Sequence, residues 1–214
     1  MARIYAIHKP ALKNQYTIHG PSRDTNKTEE TKFAKLRPAL NKSPFIVIYD
    51  GPDANCPVAA VSHLPPFARH FAIGLGDSTA ADKQVTDMVW EELHMAHSSG
   101  KKHTWAMDVA GDGSGGGGGG GDRRRRLSLV WTRTRSVTVD GMTRPPLSTR
   151  NWKLTEISAA GDHVGREGDQ PILAVFTTTT QMGKCGNLQV NVDYGREFDL
   201  MLFVTCLSLY SSGR

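Results

Sequence analysis

Apolar residues along this chain gather in short runs punctuated by Gly, Pro, Asp and Asn, the pattern of a protein built from strands. "ARIYAIHKP", at the start, predicts a short strand, and "GPSRDTNKTEETK" (residues 20–32) reads as a polar loop. Phe45–Tyr49 and Val58–Val61 flank Asp50-Gly51-Pro52-Asp53, whose turn chemistry predicts a hairpin. "HFAIGLGD" predicts a strand that ends in glycines, "DMVWEEL" fits either a strand or a short helix, and "KKHTWAMDVA" predicts a strand. Next comes "GDGSGGGGGGGD" (Gly111–Asp122), which has no side chains to pack and reads as a disordered, expanded hairpin loop. Lengthening such a loop costs roughly 0.6 kcal/mol per doubling, so the fold tolerates it.

Beyond the glycines, "RRRRLSLVWTRTRSVTV" alternates throughout and predicts one long strand. Strand period puts Trp131, Arg133 and Arg135 on one face, with Trp131 on the core side and the arginines toward a rim. "DGMTRPPLSTR" and "AAGDHVGREGDQP" are loops; "NWKLTEIS", "ILAVFTTTT" and "GNLQVNVDYG" are strands, the last with Leu188, Val190 and Val192 inward.

The tail breaks the pattern. From Leu200 to Tyr210 there is neither Gly nor Pro, and the run is too long for an ordinary strand. Glu197 and Asp199 stand where a helix N-terminus favours negative charge, with Asp193 or Gly195 as the cap, so a helix over residues 196–211 is expected. Leu200, Met201, Leu202, Phe203 and Val204 are consecutive, which makes the helix apolar around its circumference. Eleven residues span roughly 16 Å as a helix, about half of a bilayer's hydrocarbon core. Burying its large side chains is worth on the order of 15–25 kcal/mol as an upper bound. The helix therefore needs shelter within protein, and the strands are the available shelter. The expectation is a mainly β fold: one domain (residues 1–214), a closed antiparallel β-barrel around a C-terminal hydrophobic helix.

Charge changes the picture locally. Between Arg123 and Lys153 there are nine Lys or Arg against Asp140, whereas the remainder of the chain carries a net −3. A basic stretch in an otherwise mildly acidic chain points to a local anionic contact. Cys56, Cys185 and Cys206 are odd in number and far apart, so they form no disulfide framework and fit a reducing, cytoplasmic interior. The first residues contain no apolar run of signal-peptide length, and Asn26-Lys-Thr28 and Asn41-Lys-Ser43 read as chance matches to the glycosylation pattern.

The candidate binding residues are Arg123, Arg124, Arg125, Arg126, Arg133 and Arg135, because guanidinium forks take phosphate oxygens two at a time. A phosphoinositide headgroup or an anionic membrane surface suits them; the competing reading is a solvated strand end that interacts with no lipid. Few aromatics and no recognised module speak against nucleic acid. Arg125-Arg126-Leu127-Ser128 also has the form of a basophilic kinase site, with Ser128 as acceptor if the segment is accessible. His94 and His97, with Glu91, Glu92 and His103 nearby, lack a fixed third ligand, so no metal is assigned. Gly74-Leu75-Gly76 lacks the dinucleotide-loop context, Gly183-Lys184-Cys185 fails the P-loop pattern, and no Gly-x-Ser-x-Gly elbow occurs. No enzyme activity and no cofactor are expected.

Five segments in order, "LVWTRTR", "NWKLTEI", "ILAVF", "GNLQV" and "EFDLMLFVTCLSLY", resemble the tubby C-terminal-like superfamily, in particular fungal tubby-like and LURP-one-related members. The likeness covers the chain from Leu127 onward; earlier residues match loosely through "FIVIYDG", "PVAAV" and "AIGLGD". The resemblance implies a barrel around a central helix and a non-enzymatic lipid-binding, scaffold or scramblase-like role, with no transmembrane span. The signature that ends classical tubby proteins, their phosphoinositide-binding residues, and the calcium and cysteine features of scramblases have no counterparts in this sequence.

Overall fold

The computed structural model describes residues 1–23, 26, 28–37, 44–65, 68, 70–76, 89–96, 99–110, 124–142, 151–157 and 170–212. Among them are twelve strands: β1 (Arg3–His8), β2 (Gln15–Pro21), β3 (Glu29–Leu36), β4 (Ile46–Tyr49), β5 (Val58–His63), β6 (His70–Leu75), β7 (Val89–Met95), β8 (Lys102–Ala110), β9 (Arg124–Arg133), β10 (Trp152–Glu156), β11 (Ile172–Thr178) and β12 (Lys184–Val190). Each strand pairs antiparallel with its neighbours in sequence, and β1 closes the ring against β12, from Arg3↔Val190 to His8↔Lys184. Closure leaves no unpaired edge. The helix α1 (Arg196–Ser211) fills the ring.

Period-two alternation sets the wall. In β8 the residues His103, Trp105, Met107 and Val109 face inward, while Lys102, Asp108 and Ala110 face out. Their β9 partners Trp131, Leu129, Leu127 and Arg125 follow the same parity, so three pairs of large buried side chains stack along one seam. Charged residues on the outer face, such as Lys35, Glu92, Asp108 and Arg126, surround an apolar lumen; a transmembrane barrel has the opposite arrangement. No described helix is long and apolar enough to cross a membrane.

The helix is buried without interruption from Phe198 to Leu209. Its polar residues are therefore satisfied within the core. The Thr205 hydroxyl donates to the Met201 carbonyl at 2.8 Å and accepts from Trp131 Nε1 at 3.0 Å, which fixes the rod to β9. Ser208 donates to the Val204 carbonyl at 2.7 Å and sits 2.8 Å from the Ser62 hydroxyl. Tyr5 packs edge-on against Phe203. Gly20 makes room for that ring, since a β-carbon there would lie 2.1 Å from Tyr5 Cδ1.

Two expectations change, and one open reading is settled. Residues 20–32 are not one loop, because β2 and β3 occupy both flanks; inward Glu30 and Lys32 hid β3 behind polar letters. The stretch after the glycines is not one long strand. β9 stops at Arg133, where the Thr134 hydroxyl accepts from the Ser136 and Val137 amides and turns the chain out of the ladder. Residues 134–142 then cross the outside of β11 and β12, with the Val139 amide on Thr177 and Asp140 paired with Gln189. Of "DMVWEEL", left open between strand and helix, the described residues Val89 to Leu93 belong to strand β7. Arg123, His97, Asn41 and Gly111–Asp122 lie outside the described residues, although the strands flanking the glycines do pair, at Ala110↔Arg124.

Candidate functional site

β9 runs the height of the wall, so its arginines do not form one patch. Arg124 to Arg133 spans nine residue steps at about 3.3 Å each, some 30 Å. Arg124, Arg125 and Arg126 lie at the end of the barrel nearest the helix N-terminus; Arg133 and Arg135 lie at the other. Arg126 stands directly across from Asp108 and engages it at 3.3 Å, while both its terminal nitrogens reach Glu91 on β7, one at 2.7 Å. Hydrogen bonding to Glu91 is the main reason its guanidinium is held more firmly protonated than usual. Arg125 grips both oxygens of Glu156. Exposed pairs of this kind are worth about 0–1 kcal/mol. Arg133 is half-buried with its guanidinium 5.1 Å over the Trp152 ring, and Arg135 is exposed beyond the strand.

Ser128 faces outward at mid-wall, paired with Ala106 on one side and accepting the Ile157 amide on its carbonyl at 2.7 Å on the other. The kinase-site reading required an accessible segment, and this one is locked into two ladders. The histidines part company across the wall. His94 is exposed, 2.6 Å from Glu92 and against the His70 ring, whereas His103 is buried inside against Trp152. Among the described residues no three His, Cys, Asp or Glu side chains converge as a metal site would require.

Two end regions remain, and they differ. Around the helix N-terminus, buried Asp199 accepts from Arg3 at 2.8 Å, Arg23 at 2.7 Å and the Tyr5 hydroxyl at 3.3 Å. Arg23 and Arg3 also hold Asp193, at 2.7 and 3.3 Å. The Arg23 hydrogen bond is the largest cause that draws the Asp193 carboxyl down to about 2. Burial, then the Asp199 charge, push the Tyr5 phenol well above its ordinary value. Lys32, almost wholly buried, bridges Asp50 at 2.8 Å and Glu30 at 3.3 Å, and Arg196 binds the other oxygen of Asp50. Burial opposes the Asp50 charge, yet Lys32 and Arg196 outweigh it and lower its pKa. A recess of about 500 Å³ opens over this cluster, and its lining cations Arg23, Lys32 and Arg196 are matched by Glu29, Glu30 and Asp50. The recess is internally neutralised.

Around the helix C-terminus the turns and strand ends carry Lys9, Lys13, Lys35, Arg37, Lys101, Lys102, Arg133, Arg135 and Lys184, whereas Asp140, in the crossing segment, is held by Gln189 toward the opposite end of β12. Among the described residues Lys9, Lys13, Lys35, Arg37, Lys101 and Lys184 form no ion pair. Half-buried His8 is disfavoured as a cation, first by desolvation and then by His19 and Lys184. The negative end of the helix dipole points the same way, which eases the crowding of positive charge. Sequence reading missed this end because its residues come from five separate turns, each contributing one or two charges; only Arg133 and Arg135 fell inside the basic stretch. The available signal was the near absence of acids from alternate turns.

Comparison with protein-family models, with curated proteins and with solved structures finds no match, so the functional reading rests on this geometry.

Proposed function

We propose that the protein is a non-enzymatic binding module that docks on anionic phospholipid surfaces through the helix C-terminal end of its barrel. One observation carries this reading: Lys9, Lys13, Lys35, Arg37, Lys101 and Lys184 surround that mouth with no ion pair among the described residues, whereas the recess at the opposite mouth pairs its own charges. Headgroup phosphates, of phosphatidylserine or phosphoinositides, supply the missing anions, each nearby Lys or Arg contributing about 1 kcal/mol. A lumen filled by α1, and histidines split across the wall, favour binding over catalysis. A barrel wrapped around a C-terminal apolar helix is the plan that the resemblance to tubby-like proteins implies. An interaction module with no lipid ligand is the rival, favoured by the intramolecular pairing of Arg125 and Arg126.

Flotation with neutral vesicles, and with vesicles containing phosphatidylserine or a phosphoinositide, decides between them. The wild type floats only with anionic vesicles, and added salt weakens the binding. Changing Lys9, Lys13 and Lys184 to Gln lowers affinity about a hundredfold, while changing Arg124, Arg125 and Arg126 to Ser leaves most of it. Equal binding to neutral and anionic vesicles, or none to either, would remove the proposal.

A further inference from the structure

Among the described residues the basic end also carries two bare apolar side chains. Leu12, in the β1–β2 turn, and Met182, in the β11–β12 turn, are fully exposed; the other exposed large apolar side chains described, chain-terminal Met1 apart, are only partly so. Distant in sequence, they share one corner of the barrel because β1 pairs with both β2 and β12. The Lys9 amide donates to the Gly183 carbonyl at 2.9 Å and ties the two turns together.

Neither side chain serves the fold. Leu12 is the one described residue other than glycine with a positive φ, 63°. A leucine there is strained, and glycine would relieve it, as Gly183 at φ 78° does in the adjoining turn. The turn thus holds an exposed, strained leucine where glycine would remove the strain. Strain retained at an exposed tip motivates a functional reading. Lys9, Lys13 and Lys184 stand beside the two tips, within the same two turns and the start of β12.

We infer that Leu12 and Met182 are a pair of prongs that enter the acyl region of an anionic bilayer while Lys9, Lys13 and Lys184 engage the phosphates above it. This rests on the lipid-surface reading and adds insertion to it. Shape and charge select the bilayer over a protein surface. The tips are convex, so a protein partner would need two pockets at matched spacing, whereas lipid tails accommodate them without preformed shape. Cations set just behind apolar tips match an anionic layer just outside an apolar one, the layering of a membrane interface.

The test compares the full chain with the double variant Leu12→Gly, Met182→Ser on vesicles of phosphatidylcholine and phosphatidylserine, in low salt and in 1 M salt. The wild type keeps a salt-resistant fraction bound, and the double variant binds roughly tenfold to a hundredfold more weakly and loses that fraction. Thermal unfolding checks folding, with the Leu12→Gly single variant melting no lower than the wild type. A second readout is the Leu12→Trp variant, whose fluorescence is quenched by lipids brominated in the acyl chain. Equal vesicle binding by the double variant and the wild type, with the Lys-to-Gln variant impaired, would overturn insertion and leave the surface reading in place. Unquenched fluorescence from the introduced tryptophan on vesicles that the variant binds would do the same. Concentration-dependent dimerisation of the wild type, absent from the double variant, would assign the prongs to a second copy and overturn it. Absence of vesicle binding by the wild type would remove both readings.

Discussion

The two ends of the barrel are made from the same kinds of residue and put them to opposite use. At the helix N-terminal end, charge is turned inward: Asp199 sits in the first turn of a buried helix, held by Arg3, Arg23 and Tyr5, and Lys32 is buried between Glu30 and Asp50. At the helix C-terminal end, charge is turned outward, and Lys9, Lys13 and Lys184 meet no acid among the described residues. A network that satisfies itself anchors structure, because removing any member strands the others. Lysines crowded together without acids raise the repulsion of the native state, offset at Lys9 by its ammonium lying 5.4 Å over the Tyr16 ring; under the proposed reading an external anion relieves the rest.

Stability measurements test that contrast most strongly at Asp199. Asp199→Ala removes the buried partner of Arg3 and Arg23 and leaves them only the exposed Asp193, and urea unfolding is expected to show a loss of about 3 kcal/mol. Removing Lys9, Lys13 and Lys184 at the other end should leave the unfolding midpoint unchanged or slightly higher.

The same change at two glycines sharpens the comparison. Gly20→Ala drives a methyl into the Tyr5 ring and disturbs the Asp199 cluster, costing about 1–3 kcal/mol by overpacking. Gly183→Ala meets nothing within 4 Å and costs only its positive φ, about 1 kcal/mol. Thermal melts of the two variants should rank in that order.

The smallest effect is in pH. The folded pKa of Asp193, about 2, lies below its ordinary value of 3.8, so its contribution is complete above that value and is lost as pH falls from about 4 toward 2. Asp50 acts in the same direction. Asp193 is largely solvent-exposed, which keeps the effect small. Melting temperatures measured between pH 5 and pH 2 should fall less in Arg23→Gln than in the wild type, whereas the Lys-to-Gln variant should track the wild type.

What the sequence disclosed follows from this division. The core was legible wherever apolar letters met a period: Leu127, Leu129 and Trp131 announced a wall strand, and the unbroken run after Asp199 required enclosure. β3 was not, because its inward positions include Glu30 and Lys32, and a polar pattern conceals a strand whose charges are answered from Asp50, eighteen residues away. The end of β9 was missed because Ser136 to Val139 keep strand composition; the turn depends on the hydrogen bonds of Thr134, which no alternation rule registers. The candidate site was visible only in part. Arg123–Arg126 stood out by adjacency, but Glu91, Asp108 and Glu156 reach two of them from three other strands. The basic mouth was invisible for the converse reason, since residues from 9 to 184 become neighbours only through closure of the sheet.

That closure also constrains the order of assembly. Arg3 finds Asp199 across 196 residues, and the β1–β12 seam it belongs to is the ladder of greatest sequence separation. An empty tube would line its bore with Leu, Phe and Trp open to water, so zipping the seam and threading the rod are one event. Such distant pairing makes for a slow, all-or-none search. The amide hydrogens of α1 should therefore exchange only when the whole molecule opens.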